Sequence, residues 1–214
     1  MRDDTIAIGL PGVIRRLDRQ EMPLLREHLL RLDTESRHDR FNGFADESFI
    51  QRYAAKCATD GTVVIAYLED GEVLAAAELH PADGDNSPLP EVAFSVERKV
   101  RRKGLGSVLF RRLIVEGKRK GYDSLRITTG AQNEAMRSLA NKFGAHLTFR
   151  HGESSGEIDL RKQSVAAAAP RFNPAEVFAA PAAFAQSVAR FNRDYWKWVL
   201  RMYGWRSPVP RAGR

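Results

Sequence analysis

Cysteine is almost absent from this sequence, since Cys57 is the only one among 214 residues. A single cysteine cannot form an internal disulfide, and it excludes a zinc site built from several cysteine ligands. Long apolar runs are also missing, because no stretch approaches the roughly 20 unbroken apolar residues of a membrane-spanning helix. Two aspartates and a strand-like run follow the first residues, so no signal peptide is expected. A cytoplasmic protein is the default expectation.

The overall composition is that of a folded domain. Hydrophobic residues make up 43% of the chain and charged residues 29%, which is ordinary for a globular protein. These values exclude a wholly disordered chain, a collagen and a coiled-coil rod. The length predicts one domain of ordinary size with room for an extension.

The net charge of +7 is concentrated at the C-terminal end. Residues 163–214 contain 8 Lys/Arg and 2 Asp/Glu, which leaves 26 basic and 25 acidic residues in 1–162. The same end holds nine of the 19 aromatic residues and all three tryptophans. Such asymmetry indicates a nearly neutral domain over 1–162 and a separate module with its own partner.

The C-terminal module divides into an Ala/Pro-rich linker, 163–183, and a basic amphipathic helix with a tail, 184–214. Its apolar stripe consists of Phe184, Val188, Phe191, Tyr195, Trp198 and Met202. The spacing of three and four places all six on one helix face, with arginines and a lysine opposite. This tail is expected to dock on the body or on a second subunit, with an anionic membrane surface as a close second and an acidic partner or nucleic acid as the third possibility.

Hydrophobic periodicity and turn residues predict a series of strands and helices. The predicted strands are Val13–Leu17, Thr62–Leu68, Glu72–His80, Glu91–Glu97, Asp123–Thr129, His146–His151 and Gly156–Leu160. The predicted helices run from an Asp18/Glu21 capping box to Leu32, over Glu47–Cys57, from Gly106 to Lys120 and over Asn133–Phe143. The polar segments Asp33–Asp46 and Pro81–Pro90 are interpreted as loops. The order β-α-α-β-β-β-α-β-α-β-β indicates an α/β sheet with helices on both faces.

A basic turn punctuated by glycines follows the strand at Glu91–Glu97. Five of the six residues from Arg98 to Lys103 are lysine or arginine, and Gly104-Leu105-Gly106-Ser107 opens the next helix. Glycine lets a backbone approach a ligand closely, and free N–H groups at a helix start bind anions. The succession of strand, basic cluster, Gly-x-Gly and helix predicts a site for a phosphate-rich ligand. A plain surface turn with a solvated basic face is the alternative.

Two other nucleotide-binding motifs are excluded by the residues at this turn. A Walker A loop requires Gly-x-x-x-x-Gly-Lys-Ser/Thr, which occurs nowhere in the chain. A Rossmann turn requires a third glycine where this sequence has Leu109.

The segment Arg101-x-x-Gly104-x-Gly106 after a strand resembles the acetyl-CoA pyrophosphate loop of the GNAT acetyltransferase superfamily. A second segment, from Asn133 to Gly144, resembles the family's next helix with its Asn start and Gly stop. The resemblance extends over about Val13 to Leu160 and excludes the tail. It implies a mixed, mostly antiparallel sheet flanked by helices, to which the chain adds a C-terminal helical extension. It also implies an acyltransferase, similar to the protein-lysine N-acetyltransferases.

The resemblance implies where acetyl-CoA, as cosubstrate, would bind. The molecule would lie in a V-shaped opening between the strands at Glu91–Glu97 and Asp123–Thr129, with its pyrophosphate on the N–H groups of residues 102–107. The implied cofactor-binding residues are Val96 and Arg98 for the pantetheine arm, then Arg101, Arg102, Lys103, Gly104, Leu105, Gly106 and Ser107, with Asn133 on the other wall. Lys99, Arg102 and Lys103 are candidates for the 3′-phosphate, with a solvated face as the alternative for each.

Acetyl transfer to an amine requires a group that removes a proton. A lysine-like amine has a pKa near ~10.4, so at pH 7 only roughly one molecule in 2,500 is neutral. Glu91 begins the cofactor strand, and its position matches the catalytic glutamate of protein-lysine members of the family. Glu91 is therefore the predicted general base, with a solvated glutamate after Pro90 as the alternative. Glu78 and His80 on the neighbouring strand are the reserve candidates, although His80 is also explained as a cap of the loop at Pro81.

The family's usual acid is a tyrosine seven residues after the helix-start Asn, where it protonates the leaving CoA thiolate. That position is Ala140 here, and the nearby Phe143 has no proton to donate. Water or another residue then protonates the thiolate, or the chain only binds CoA. Because protein-lysine members often lack this tyrosine, its absence favours a protein substrate. By analogy with the family, Asp33–Phe44 rims the acceptor site, with a mobile polar loop as the alternative.

The sequence therefore predicts an N-acetyltransferase that moves an acetyl group from acetyl-CoA to an amine, a protein lysine ahead of a small molecule. The mechanism is direct attack with Glu91 as base, a backbone N–H near Ser95 or Val96 polarising the carbonyl, and no metal. The rival prediction is a non-catalytic acyl-CoA sensor that recruits a partner. A specific nucleic-acid binder rests only on the pI of about 9.8 and lacks a base-reading motif.

Overall fold

The structure, a computed structural model, describes residues 10–83, 88–150 and 152–163. The strands are β1 Val13–Arg16, β2 Val63–Glu69, β3 Glu72–His80, β4 Glu91–Val96, β5 Ser124–Gly130, β6 Thr148–Arg150 and β7 Glu153–Asp159. The helices are α1 Met22–Arg31, α2 Thr34–Phe41, α3 Glu47–Cys57, α4 Leu105–Arg119 and α5 Glu134–Lys142, with short 3-10 helices at Arg19–Glu21, Arg98–Val100 and Leu160–Lys162. The predicted linker and amphipathic tail lie outside the described residues, and their bounds stay predictions.

All seven strands form one sheet in the order β1-β2-β3-β4-β5-β7-β6. Every neighbouring pair is antiparallel except β4 and β5, which run parallel. The tight hairpin between β2 and β3 has Asp70 at φ 51° and Gly71 at φ 85°, and two consecutive residues with positive φ make the turn that matches strand twist. The predicted mixed, mostly antiparallel sheet is confirmed, with strand ends shifted by a few residues.

Helices cover both faces of the sheet, as predicted. On one face the α4 residues Leu109, Phe110 and Leu113 are fully buried in a cluster with Leu125 and Ile127 of β5. On the other face, Leu25 and Leu29 of α1 and Ile50 of α3 are buried against Val64 and Ala66 of β2. The alternation of side chains along β2 supplies both clusters, because successive residues of a strand point to opposite faces. No helix within the described ranges combines the length and the apolar character that crossing a membrane requires.

The prediction of a loop over Asp33–Asp46 is wrong, because this segment contains the helix α2. The Asp33 side chain accepts a hydrogen bond from the Ser36 N–H at 3.0 Å and caps the helix start. Asn42 ends the helix in the left-handed conformation, with φ 49°. Ser36 is the only buried residue of this helix, so it lacks the apolar stripe from which a helix is predicted. The element order therefore has three helices, not two, between the first strand and the second.

The parallel pairing of β4 and β5 is short and leaves an opening in the sheet. The register contains two pairs, Glu91 with Arg126 and Val92 with Ile127. Beyond Val92, the described residues of the two strands form no further pair, although β4 continues to Val96 and β5 to Gly130. The strands diverge toward their C-terminal ends and create the V-shaped opening that was predicted between them.

Candidate active site

A cleft of about 1180 Å³ follows the opening between β4 and β5. Glu91 lies where the two strands still pair, and the basic turn with the start of α4 lies at the other end. The remaining walls come from α2, from Thr128 and Thr129 of β5, and from α5. The cleft therefore brings the predicted phosphate turn and the predicted base into one site.

The unpaired edge of β4 presents backbone groups to this cleft. The Glu97 N–H donates to the Leu74 carbonyl of β3 at 2.9 Å, whereas the Pro90 carbonyl accepts from the Arg126 N–H of β5 at 2.8 Å. Because backbone groups of successive residues point to opposite sides of a strand, the N–H groups of Phe94 and Val96 point into the opening. The Ser95 N–H points to β3, so Val96 is the better of the two predicted carbonyl-polarising groups.

The turn before α4 is shaped to bind an anion. Arg102 and Gly104 adopt left-handed conformations, with φ 58° and 83°, and backbone N–H groups in turns with such residues can form a concave site for an anion. Among the described residues, no acceptor takes a hydrogen bond from the N–H groups of residues 102–106. Arg102 is not a glycine, so its left-handed conformation costs of order 1–3 kcal/mol. A strained turn with free donors at a helix start fits a pyrophosphate.

Glu91 lies partly buried at the narrow end of the cleft. In the sheet register it lies opposite His80 of β3 and Arg126 of β5, so the three side chains share one face. Its carboxylate forms no hydrogen bond and no ion pair with any described residue. The carboxylate therefore keeps its full capacity to accept a proton from a bound molecule.

The two reserve candidates belong to a network of buried polar groups. The Glu78 side chain is fully buried, and its Oε2 lies 2.9 Å from Nη2 of Arg40 on α2. Tyr53 of α3 donates its O–H to the same Oε2 at 2.5 Å, and Nε2 of His80 lies 2.9 Å from the Tyr53 oxygen. Burial alone would raise the pKa of Glu78, but the charge of Arg40 and the hydrogen bonds from His80 and Tyr53 hold that pKa well below its ordinary value. Glu78 is thus a fixed counter-ion and does not line the cleft.

Comparison with known proteins decides the family. Residues 27–145 match the family model described as the acetyltransferase (GNAT) family. The chain belongs to this family. Its fold is similar to that of the GNAT domain of S. lividans PAT, with a TM-score of 0.59 and 19% identity over 69% of this chain and 90% of that one.

Two structures solved with coenzyme A compounds are also similar to this GNAT chain. One is YncA of Salmonella typhimurium, a putative acetyltransferase with its cofactor acetyl-CoA, with a TM-score of 0.54 and 20% identity over 77% of this chain and 100% of that one. The other is the PaiA N-acetyltransferase of Thermoplasma acidophilum in complex with coenzyme A, with a TM-score of 0.52 and 16% identity over 70% of this chain and 99% of that one.

The cofactor residues predicted for this acetyltransferase take different positions around the cleft. The cleft is lined by Val96, Arg98, Arg101, Arg102, Gly104, Leu105, Gly106, Ser107 and Asn133, whereas Lys103 is not among its lining residues. Leu105 is buried and can offer only its backbone. Asn133 caps α5, because its Oδ1 accepts from the Met136 N–H at 3.0 Å.

Two of the predicted arginines are engaged with α2 and its cap. Arg101 donates from Nε to the Val96 carbonyl at 3.0 Å and from Nη2 to Ser36 Oγ at 2.6 Å. Arg98 pairs with Asp33 at 2.8 Å and with Glu35 at 2.5 Å. The hydrogen bonds from Arg98 and Ser36 hold the pKa of Asp33 well below its ordinary value. Both arginines thus join the turn to α2, and their side chains are less free to contact acetyl-CoA than the resemblance implied.

Two residues of this site were not found from the sequence. Tyr53 of α3 lines the acceptor end together with Asp39, Arg40 and Asn42, but only the last three lie in Asp33–Phe44, the segment that analogy placed there. His28 of α1 bonds Ser95 of β4 across the sheet interface. Little in the sequence indicates this role for His28, because a histidine on the apolar stripe of a helix is normally interpreted as part of the core. Ala140 and Phe143 have no proton to donate, and their side chains belong to the core: Ala140 is buried, and Phe143 packs on Phe110 with ring centroids 4.5 Å apart.

Proposed function

We propose that this acetyltransferase moves the acetyl group of acetyl-CoA to an amine, with a lysine side chain of a protein as the favoured acceptor and Glu91 as the general base. The observation that carries the proposal is the continuous cleft that joins the backbone N–H groups at residues 102–106 to the carboxylate of Glu91, neither of which has a partner among the residues that the structure describes. The coenzyme A compounds of the two similar structures support the same donor here.

The residues of the cleft suit each part of acetyl-CoA. The pyrophosphate would lie on the N–H groups of residues 102–106, and the arm would follow the open edge of β4 past Val96. The buried hydroxyl of Thr129 has no partner among the described residues and lines the opposite wall. The reactive end of the donor then lies between Val96 and Glu91, where the β4–β5 opening narrows.

The reaction begins with a proton transfer to Glu91. The carboxylate removes a proton from the acceptor ammonium, directly or through water, and the neutral amine attacks the thioester carbonyl. The Val96 N–H stabilises the negative charge that develops on the carbonyl oxygen. Collapse then breaks the C–S bond and expels the CoA thiolate, and the nitrogen loses its remaining surplus proton, so that the products are an amide and, after protonation of the thiolate, CoA.

The acceptor end of the cleft carries groups for an amine substrate. Asp39 and Glu91 line it, and their negative charges attract an ammonium group. Arg40 is neutralised by Glu78 and does not oppose this attraction. A lysine presented by a protein surface can enter a cleft of this kind by its side chain alone, which supports a protein acceptor.

Acetyl-CoA affinity tests the donor site. Gly104→Asp places a side chain and a negative charge at a position with φ 83°, next to the expected pyrophosphate. We expect acetyl-CoA affinity measured by calorimetry to fall by at least ~10-fold, or about 1.4 kcal/mol. Gly121→Asp is the matched control, because Gly121 has φ 79° and lies outside the cleft. A folded Gly104→Asp variant with unchanged affinity would refute the donor site.

Release of CoA with an amine panel and a host lysate tests the reaction. Steady, acceptor-dependent CoA release is expected from the enzyme. The alternative, a non-catalytic acyl-CoA sensor, is favoured by the absence of a proton donor at Ala140 and Phe143. It would bind acetyl-CoA and release no CoA with any acceptor.

A further inference from the structure

We propose that Ser95, supported by His28 and Glu97, carries a proton from the attacking nitrogen to the leaving CoA thiolate. The inference rests on the function proposed above. Ser95 Oγ lies 2.9 Å from Nε2 of His28, and Nδ1 of the same ring lies 3.2 Å from Oε1 of Glu97. The His28 side chain is 0% exposed, and Ser95 lines the cleft. The three residues thus form a hydrogen-bonded chain that ends at the donor site.

The charge of Glu97 fixes the proton positions along this chain. Partial burial would raise the pKa of Glu97, but the hydrogen bond from His28 and the charge of Arg31, whose Nε lies 3.1 Å away, hold that pKa below its ordinary value. Lys99, with Nζ 3.6 Å from Oε2, adds a second positive charge. Glu97 is therefore a carboxylate, which accepts hydrogen bonds and donates none.

The imidazole tautomer follows from that carboxylate. Nδ1 of His28 carries the proton that is donated to Glu97, and in the tautomer whose one ring proton is on Nδ1, Nε2 is an acceptor. The Ser95 O–H must then donate to Nε2. A hydroxyl held in this way can pass its proton to the ring as it receives another one, and Glu97 stabilises the imidazolium that results.

Tyr53 and His80 form the second hydroxyl–imidazole pair of the cleft, and this pair cannot relay a proton. Arg40 only donates and the Glu78 carboxylate only accepts, so the single proton of Tyr53 goes to Glu78. Nε2 of His80 must therefore donate to the Tyr53 oxygen and has no free lone pair. Burial raises the pKa of Tyr53 well above its ordinary value, which makes it a poor acid. Of these two hydroxyl–imidazole pairs, only Ser95 with His28 can therefore relay a proton.

Ser95 also lies in the right part of the cleft. It is on the same face of β4 as Glu91 and four residues closer to the phosphate turn, about 13 Å along the strand. The thioester must pass between these two points if the pyrophosphate lies on residues 102–106. The nitrogen and the sulfur are both bonded to the reacting carbon, so one hydroxyl facing that carbon can reach both.

The proton balance closes without an additional reactant. After Glu91 has taken the first proton and the N–C bond has formed, the nitrogen still carries one surplus proton. That proton moves to Ser95 Oγ while the Ser95 proton moves to Nε2 of His28. As the C–S bond breaks, Nε2 returns its proton to Ser95 and Ser95 protonates the thiolate. The imidazole ends with the same protons with which it began.

Kinetics of Ser95→Ala in the full-length enzyme test the proposal. We expect kcat to fall by about 10²-fold, the lower end of what a positioned acid–base group contributes, with the acetyl-CoA dissociation constant unchanged. Added imidazole buffer should raise kcat of Ser95→Ala and leave the wild type unaffected, and Ser95→Thr, which keeps the hydroxyl, should restore most of the rate. Ser155→Ala is the matched control, because Ser155 lies in β7 and outside the cleft. His28→Gln should lose rate as Ser95→Ala does.

Four outcomes would overturn the proposal. A Ser95→Ala rate within about threefold of the wild type would remove any proton-transfer role. A lower rate that buffer cannot rescue, or a weaker acetyl-CoA affinity, would assign Ser95 to structure or binding. An acetyl group found on Ser95 by mass spectrometry would make it a nucleophile instead. If the wild type releases no CoA with any amine, the proposed function fails as well, which is a distinguishable result.

Discussion

Replacing Glu91 by glutamine is expected to lower kcat by ~10²–10⁴, with acetyl-CoA affinity nearly unchanged. Glutamine keeps the shape of the side chain but cannot accept a proton. The carboxylate has no partner among the described residues, so no buried group is left unpaired by the change. Part of the activity should return at high pH, because the neutral fraction of the amine rises about tenfold for each pH unit below its pKa. Initial rates across pH with a saturating acceptor measure both effects.

Glu72→Gln is the matched control for this experiment. Glu72 begins β3 as Glu91 begins β4, and it is exposed and outside the cleft, so its replacement should leave kcat unchanged. If Glu91→Gln keeps kcat within a factor of about three, Glu91 is not the base. The network around Glu78 and His80 would then have to supply it, although its hydrogen bonds argue against such a role.

Replacing Arg40 by methionine is expected to reduce the free energy of unfolding at pH 7 by about 3–5 kcal/mol, the usual cost of removing one partner of a buried ion pair. Arg40 is 7% and Glu78 0% exposed, with Nη2 and Oε2 2.9 Å apart. Without Arg40, the Glu78 carboxylate would remain buried with only Tyr53 and His80 near it. Urea unfolding of the variant and the wild type gives the difference.

The pH dependence of this destabilisation distinguishes loss of the buried ion pair from loss of packing. In the wild type the pKa of Glu78 lies below its ordinary value of 4.5, so the pair stabilises the fold above that pH and loses its effect as pH falls toward the lower pKa. In Arg40→Met the charge of Arg40 no longer opposes the effect of burial, so the pKa of Glu78 is higher than in the wild type. The destabilisation should therefore be complete at pH 7 and shrink as Glu78 becomes protonated in acid. The double variant Arg40→Met/Glu78→Leu removes both charges and should recover much of the lost stability at pH 7. Equal destabilisation of Arg40→Met at pH 7 and in acid would contradict the ion-pair explanation.

The features that could be predicted from the sequence are those with local causes. The hairpin at Asp70 and Gly71, the strand–turn–helix unit around Gly104 and the Asn133 cap each depend on residues a few positions apart. The order of the predicted strands and helices was similarly sufficient to place helices on both faces of the sheet. The family assignment confirms the acetyltransferase prediction, which rested on two such local segments.

The features that could not be predicted depend on contacts between distant segments. Arg40, Tyr53 and Glu78 come from α2, α3 and β3, and nothing near any of the three in sequence indicates that they contact one another. His28 contacts Ser95 although the two residues are 67 positions apart in sequence, and nothing near either residue indicates the partner. The helix α2 was missed for a related reason, since its caps and its contacts with the turn through Arg98 and Arg101 stabilise it in place of an apolar stripe.

Within the described ranges of the chain, β4 has no partner on its β5 side beyond Val92, so the sheet is incomplete there. Any donor arm that bonds the Phe94 and Val96 N–H groups completes part of that hydrogen-bonding pattern, so binding and folding become thermodynamically linked. A donor at about 100 times its dissociation constant would add about 2.7 kcal/mol to the free energy of unfolding. Hydrogen exchange should report the same coupling residue by residue, with the Phe94 and Val96 amides exchanging quickly in the free protein and slowly when acetyl-CoA is bound. The acetyl donor is then both a reactant and, until it is consumed, a temporary strand-like part of the fold.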